Sequence, residues 1–279
     1  MTDLTPQIVT TRLWVREDVC EALGPDPFAV AFALRGVVHR AVANRATLAV
    51  ELCDRPFFVK RHLGVGWREI LKNLASGRLP VFSAWNEFRA CQVLADAGIP
   101  APTVAAFGAR GANPARRISF VLCDALVGFT DLEQRTAPWP VCPPPPRLRF
   151  RLVPALAAFA RRFHDAGLVH RDFYLCHLLT DDAAWSAGVV RLAVLDLHRA
   201  LHFRVVPRRW RERDLAALLY SARALRPSLR ELLRFVRVYS GVSLRVALSD
   251  PLWGRVWRRA LRLERRVARR HPDERLHAP

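Results

Sequence analysis

The stretch that most narrows the possible folds runs from Leu152 to Asp196. In LVPALAAFARRFHDAGLV, apolar residues recur at Leu152, Leu156, Phe159 and Phe163, the spacing of a buried helix face. Pro154 is expected near the start of that helix or at a kink in it. The helix delivers the chain directly to the triplet His170-Arg171-Asp172. Then come the short apolar run HLLT, a turn, and a second strand-like run, VVRLAVLDL, which carries Asp196 near its end. A lone HRD triplet in a chain of 279 residues with 44 Lys and Arg is weak evidence, because chance supplies one at a rate of roughly a few per cent to a tenth. Its surroundings carry the weight.

Upstream, from about residue 30 to 60, short apolar runs such as ATLAVEL and FFVKRH alternate with polar turns such as CDRP, which predicts an antiparallel meander. WREILKNLASG places Trp67, Ile70, Leu71 and Leu74 on one helical face, with a stop at Gly77. SAWNEFRACQVLADAGIP reads as a second helix, capped at Ser83 and ended by Gly98 and Pro100. Strand signals return in TVAAFG and ISFVLCDAL, giving an α+β unit over residues 1–125. PWPVCPPPPR, residues 138–147, is expected to be a loop near a lobe boundary, since proline lacks the amide donor and fixes φ. The rest, residues 126–279, is expected to be a mainly helical second unit.

Four charged residues then fall into a chemical pattern. Lys60 closes the apolar run PFFVK, and Glu87 lies on the helix expected beside that strand. Asp172 sits in the loop after the long helix, and Asp196 follows a strand. These are the charged parts of a phosphoryl-transfer site of the kinase type. Lys60 would neutralise the α- and β-phosphates of ATP and Glu87 would hold its side chain by an ion pair. Asp172 would accept or orient the acceptor hydroxyl, and Asp196 would bind Mg²⁺. The residue five after Asp172, where a second-metal asparagine is usual, is His177, and imidazole is a poorer Mg²⁺ ligand than an oxygen donor. Either His177 still coordinates as a neutral ring, or it contacts phosphate or metal-bound water. His170 reads as structural, packing the loop. The phosphate loop is glycine-poor, with only Gly36 in RGVVHRAVANRATLAV. Only 17 residues separate Asp196 from Asp214, too few for a peptide-docking activation segment, so a protein substrate is not expected. Asp214 is expected to anchor the catalytic loop by accepting backbone hydrogen bonds.

The net charge of +19 favours anionic partners without choosing among them. Lys60 and Lys72 are the only lysines among 44 basic residues, so each lysine asks for a specific reason where arginine was acceptable almost everywhere else. The six cysteines show no CxxC spacing, which predicts reduced thiols. The N-terminus lacks a leader pattern and no 18 apolar residues run together, so export and a membrane span are not expected.

FFVKRHLGVGWREILKNLASGRLP, NEFRA, HRDFYLCHLL, LDLHRA and VPRRWRERDLAALLYS together resemble the bacterial lipopolysaccharide inner-core heptose kinases, a branch of the protein-kinase-like superfamily. The resemblance covers roughly residues 35 to 240. In that family a histidine stands where His177 stands, and DLH replaces DFG, as Asp196, Leu197 and His198 do here. The resemblance implies a bilobal α+β protein-kinase-like fold. It implies ATP- and Mg²⁺-dependent phosphorylation of a heptose hydroxyl of the lipopolysaccharide inner core, at the cytoplasmic face of the inner membrane. Beside it stand a small-molecule or other glycan phosphotransferase of the same fold and a non-catalytic pseudokinase module; no nucleic-acid motif is recognised.

Two basic segments keep two readings each. WGRVWRRALRLERRVARR, residues 253–270, puts Trp253, Val256, Trp257, Ala260 and Val267 on one side and arginines mostly elsewhere. It could lie on an anionic membrane surface or pack as a terminal helix. The arginines of VPRRWRER suit the carboxylates and phosphates of an inner-core oligosaccharide, or form a solvated basic loop. The basic surface also suits an acidic partner such as an acyl carrier protein.

Overall fold

A computed structural model of the chain describes residues 11–42, 44–75, 81 and 83–270. The stop expected at Gly77 and the first ten residues lie outside these. The chain divides into two units. One comprises residues up to Ala95 with Pro102–Leu126 and Leu197–Arg199; the other comprises Asp96–Ala101, Val127–Asp196 and the chain from Ala200 onward.

The first unit contains, in chain order, β1 (Thr11–Val15), α1 (Glu17–Leu23), α2 (Pro27–Ala33), β2 (Val37–Val42), β3 (Arg45–Leu52), β4 (Arg55–Leu63), α3 (Trp67–Ala75), α4 (Trp85–Asp96), β5 (Val104–Arg110) and β6 (Ile118–Asp124). Its sheet is antiparallel with order β1-β5-β6-β4-β3-β2, so the expected meander is β2-β3-β4. The CDRP turn closes with Cys53 and Asp54 both at positive φ, 50° and 55°, the twist a two-residue hairpin favours.

The sequence reading did not foresee α1 and α2. A proline at the first helical position and Asp26, whose side chain accepts the Phe28 and Ala29 amides, start α2. Both helices cover one face of the sheet, where Val19, Leu23, Phe28 and Ala31 pack on Leu48, Phe57, Val59, Phe120 and Leu122. Strand alternation sends Phe57 and Val59 to that face and Lys60 to the other. The other face carries α4, whose Phe88 stacks on Phe107 with centroids 4.4 Å apart. The lone Gly36 is a packing residue, since an added Cβ would collide with the Ala49 carbonyl.

The apolar face predicted for α3 is split. Ile70 is buried, whereas Trp67, Leu71 and Leu74 stand in solvent. The Gly-Val-Gly turn before α3 is fixed to the neighbouring loop: the Gly64 and Gly66 amides donate to the carbonyls of Arg117 and Ala115 at 3.1 and 2.9 Å.

The second unit contains β7 (Phe129–Asp131), α5 (Leu132–Thr136), α6 (Pro146–Asp165), β8 (Leu168–Val169), β9 (Leu178–Asp181), α7 (Asp182–Ser186), β10 (Leu192–Val194), β11 (Leu201–His202), α8 (Arg208–Ala222), α9 (Leu229–Ser240), α10 (Leu244–Ser249) and α11 (Leu252–Arg270). Leu152, Leu156, Phe159 and Phe163 are all buried on α6, as their spacing predicted. Strands β10, β9 and β7 form a small antiparallel sheet, and β11 pairs with β8.

Three local expectations are corrected. The end of the proline-rich segment is helix, because Pro145 caps α6 and Pro146 occupies its first turn, where a missing amide costs no hydrogen bond. That segment also lies within the second unit, past the division at Leu126. The expected turn between HLLT and VVRLAV holds α7, started by Asp181 accepting the Ala184 amide. The RRWRER arginines open α8 after Pro207, so they are no loop.

Gly64 lies against backbone: an added Cβ would sit 2.5 Å from the Ala115 carbonyl oxygen and 2.8 Å from Arg116 Cα. Gly64→Ala should therefore destabilise the protein by about 1–3 kcal/mol, read as a lowered melting temperature by circular dichroism.

Candidate functional site

Lys60 and Glu87 meet because the sheet register brings them together. Lys60 pairs with Val121 on β6, Val121 pairs with Phe107 on β5, and Phe107 stacks on Phe88 of α4. One residue before Phe88, Glu87 turns toward the strand. Its Oε1 accepts from Lys60 Nζ at 2.6 Å, and the carboxylate side chain is only 3% exposed. Glu87 Oε2 is buried without a hydrogen-bond partner among the described residues. A carboxylate so placed depends on its cation, since a buried charge without one costs several kcal/mol.

In the second unit the loop after β8 is held by its backbone. Asp214, fully buried on α8, accepts the amide of His170 at Oδ2 (2.7 Å) and that of Arg171 at Oδ1 (2.8 Å), as expected of it. His164 on α6 approaches the same carboxylate at 3.4 Å through Nε2, and its Nδ1 meets the Tyr239 hydroxyl at 2.8 Å. Arg171 adopts φ 74°, a left-handed conformation that side chains seldom take. The chain then turns sharply, with the Tyr174 amide donating to the Asp172 carbonyl at 2.9 Å.

The two histidines of the motif face carbonyls through opposite ring nitrogens. Nε2 of His170 faces the Leu195 carbonyl at 2.9 Å and must donate to it, so Nδ1 is the acceptor that meets the Asp172 amide at 3.3 Å. For His177 the ring nitrogen facing a carbonyl is Nδ1, 2.6 Å from the oxygen of Asp172. Its Nε2 lies 3.7 Å from Asp196 Oδ2. The rings stack at 5.3 Å. Asp196 has φ 61°; the residue before it, Leu195, donates its amide to the His177 carbonyl at 3.0 Å.

This donor set fits a divalent cation of the Mg²⁺ class. Among the described residues no three His, Cys, Asp or Glu side chains cluster as a metal cage. Mg²⁺ commonly takes one or two carboxylates and completes its shell with water and phosphate oxygens. Asp196 would supply the carboxylate, and His177, its other ring nitrogen held by the Asp172 carbonyl, would stand beside it as a weaker donor or a partner of metal-bound water.

The residues singled out from sequence thus fall into two groups, Lys60 with Glu87 in the first unit and Asp172, His177 and Asp196 in the second. Sequence reading did not single out His164, nor His62, buried on β4 beside Lys60 with its Nε2 unpartnered among the described residues. A histidine on an apolar alternation was the available signal for His62. All six cysteines are free thiols.

The model of the lipopolysaccharide kinase (Kdo/WaaP) family matches residues 32–239. The chain is 44% identical over 249 residues to the lipopolysaccharide core heptose(I) kinase WaaP of Pseudomonas aeruginosa, covering 88% of this chain and 93% of that protein. It is 39% identical over 227 residues to the protein of the same name from Escherichia coli K12, covering 81% and 86%. A solved structure described as WaaP in complex with acyl carrier protein superposes with a TM-score of 0.78 at 38% identity, covering 90% of this chain and 99% of that one.

The loop anchor and the buried histidines each have a measurable consequence. Asp214→Ala leaves two buried amides without an acceptor and should cost about 2–5 kcal/mol in urea unfolding. Burial, then the charges of Arg45, His198 and Lys60, hold His62 down at about pH 3, and burial also lowers His170. In the unfolded chain both titrate near 6.5. Because the folded values are the lower ones, their contribution is complete above about pH 6.5 and is lost as the pH falls. For His62 alone the loss is about 1.4 kcal/mol per pH unit, near 2 kcal/mol at pH 5. Urea midpoints at pH 7.5 and 5 should show this drop, and His62→Gln should reduce it.

Proposed function

The chain belongs to the lipopolysaccharide kinase (Kdo/WaaP) family, and from that premise we propose that it transfers the γ-phosphoryl group of ATP to a heptose hydroxyl of the lipopolysaccharide inner core. The observation that carries this reading is the loop around Asp172. Asp214 fixes it from behind, and His170 and His177 bond the Asp172 amide and carbonyl. A backbone fixed on both sides can hold a general base within reach of one hydroxyl.

In this reading Asp172 takes the acceptor hydroxyl proton as the new oxygen–phosphorus bond forms and the bond to the leaving ADP oxygen breaks. Lys60, steadied by Glu87, meets the α- and β-phosphates. Asp196, with His177 beside it, would hold Mg²⁺, which when bound offsets the charge moving onto the leaving group. Residues 1–125 are then the nucleotide-binding part and residues 126–279 the catalytic and acceptor-binding part.

The arginines of α8 suit an acidic glycan. Arg209 and Arg213 both lie over Trp210, 5.9 and 5.5 Å from its ring centroid, a cationic surface on which planar carboxylates can be recognised. An acidic carrier protein is a further partner in this reading, supported by the net charge of +19 and by the likeness to the solved complex. A lipid-linked acceptor also places the reaction at the cytoplasmic face of the inner membrane, with the protein peripheral to it. Among the described residues no helix is long and apolar enough to cross a membrane.

Incubation with ATP, Mg²⁺ and under-phosphorylated inner-core lipopolysaccharide, followed by mass spectrometry, should reveal one added phosphate on a heptose. Asp172→Ala should lower turnover by about 10²–10⁴ while nucleotide binding, measured by calorimetry, persists. Phosphorylation of a soluble sugar in place of the core would replace this reading by that of a small-molecule phosphotransferase.

A further inference from the structure

Helix α3 presents an apolar surface that stands exposed among the described residues of its unit. Trp67, Leu71 and Leu74, at i, i+4 and i+7, are 54%, 60% and 51% exposed, while Ile70 at the edge of the same face is buried at 3%. At 100° per residue the three exposed side chains span about 60° of the helix, and Arg68 and Lys72 follow on the flank away from Ile70. Glu69 is the only acid on α3 and lies 3.7 Å from Lys72. The long stem of Lys72 can carry its ammonium from an apolar surface to anionic headgroups. The helix is held in place at its start by the Gly64 and Gly66 backbone bonds.

Size argues for the occupant. Three half-exposed side chains offer on the order of 300 Å² of apolar area, well short of the ~800 Å² per partner of a stable protein interface. An apolar stripe of Trp and Leu beside basic residues is instead the pattern of an interfacial helix, in which insertion and headgroup attraction add. In helix α11, the more basic segment, most of the stripe is occupied, with Trp257 left 43% exposed. Leu252, Val256 and Ala260 are buried, and Arg255 and Arg259 both pair with Glu212 of α8 at 3.2 Å.

We propose that α3 docks this protein on an anionic bilayer, with Trp67, Leu71 and Leu74 entering the interface and Arg68 and Lys72 meeting the headgroups. The proposal deepens the reading of a lipid-linked acceptor and rests on it.

The test is co-sedimentation of the full chain with vesicles of phosphatidylcholine alone or with about one third phosphatidylglycerol. Wild-type protein should bind the anionic vesicles, and Leu71→Glu with Leu74→Glu should lower the partition coefficient about tenfold or more without changing the melting temperature. Arg265→Glu with Arg266→Glu on α11 should change it by less than about threefold. Should the double leucine variant unfold, Trp67→Ala gives the same readout, with a severalfold loss expected. Absence of wild-type binding, or full binding by the α3 variants, overturns the proposal. So does an α3 variant that keeps vesicle binding and loses an acidic carrier protein, which would assign the face to a protein. Phosphorylation of under-phosphorylated inner-core lipopolysaccharide dispersed in detergent micelles, with no vesicles present, is measured in parallel. Failure there with intact α3-dependent vesicle binding refutes the kinase reading and leaves the docking surface standing.

Discussion

The carboxylate of Asp214 accepts two successive backbone amides, those of His170 and Arg171, and the geometry of the reactive loop depends on it. Arg171 sits at φ 74°, a conformation costing on the order of 1–3 kcal/mol for a residue with a side chain. Two short bonds to an ionised, buried acceptor offset that cost, because hydrogen bonds to charged groups are the stronger kind. The anchor stands on α8, packed in the unit's core between Leu215, Ala216 and Leu218. Strain in the loop is thus balanced by a rigid helix and not by the loop itself.

From that anchor, order passes to the second aspartate through histidine chemistry. Leu195 gives its amide to the His177 carbonyl and takes the His170 ring proton on its own carbonyl, so the peptide leading into Asp196 is bonded on both sides. Asp172 is held likewise, its amide by His170 and its carbonyl by His177. His170 must be neutral for this to work, since its Nε2 donates while its Nδ1 accepts. His170 carries its proton on Nε2, and His177 donates from Nδ1 and turns Nε2 toward Asp196. Burial of His170 enforces its neutrality. The departure from an asparagine at position 177 is therefore part of a connected set that includes the histidine at 170.

Much of this was legible in sequence where periodicity and chemistry agreed. The α6 face, the meander, the Lys60–Glu87 pair and the anchoring role of Asp214 all follow from apolar spacing plus the demands of a phosphoryl-transfer site. Other features were not legible, for identifiable reasons. Helix α2 is seven residues long, too short for a helical period to stand out, and its start is set by Asp26 and Pro27. The solvent-facing side of α3 cannot be read from its pattern, because Trp67, Ile70, Leu71 and Leu74 form one stripe on paper and only packing decides which of them is covered. RRWRER reads as a charge run, yet Pro207 caps a helix there and Arg208 and Arg211 pair with Asp250 and Asp165, residues distant in sequence.

The survival of lysine at position 60, in a chain that uses arginine almost everywhere else, has a physical explanation in its surroundings. The Lys60 ammonium meets a single carboxylate oxygen at 2.6 Å in a site where its side chain is 14% exposed. Near it the buried Cys91 and Cys123 thiols bond each other, and that bond together with burial pushes the Cys123 thiol up, leaving weak acceptors. A guanidinium brings five donors in a rigid plane and prefers two oxygens of one carboxylate. Seated here it would turn its fork onto Glu87 and leave other N–H groups facing thiols. An ammonium satisfies Glu87 with one N–H and is a compact charge on a flexible stem, whose donors are oriented by rotation about a single bond. Lysine at 60 therefore suits a narrow site in which one compact cation holds a buried carboxylate.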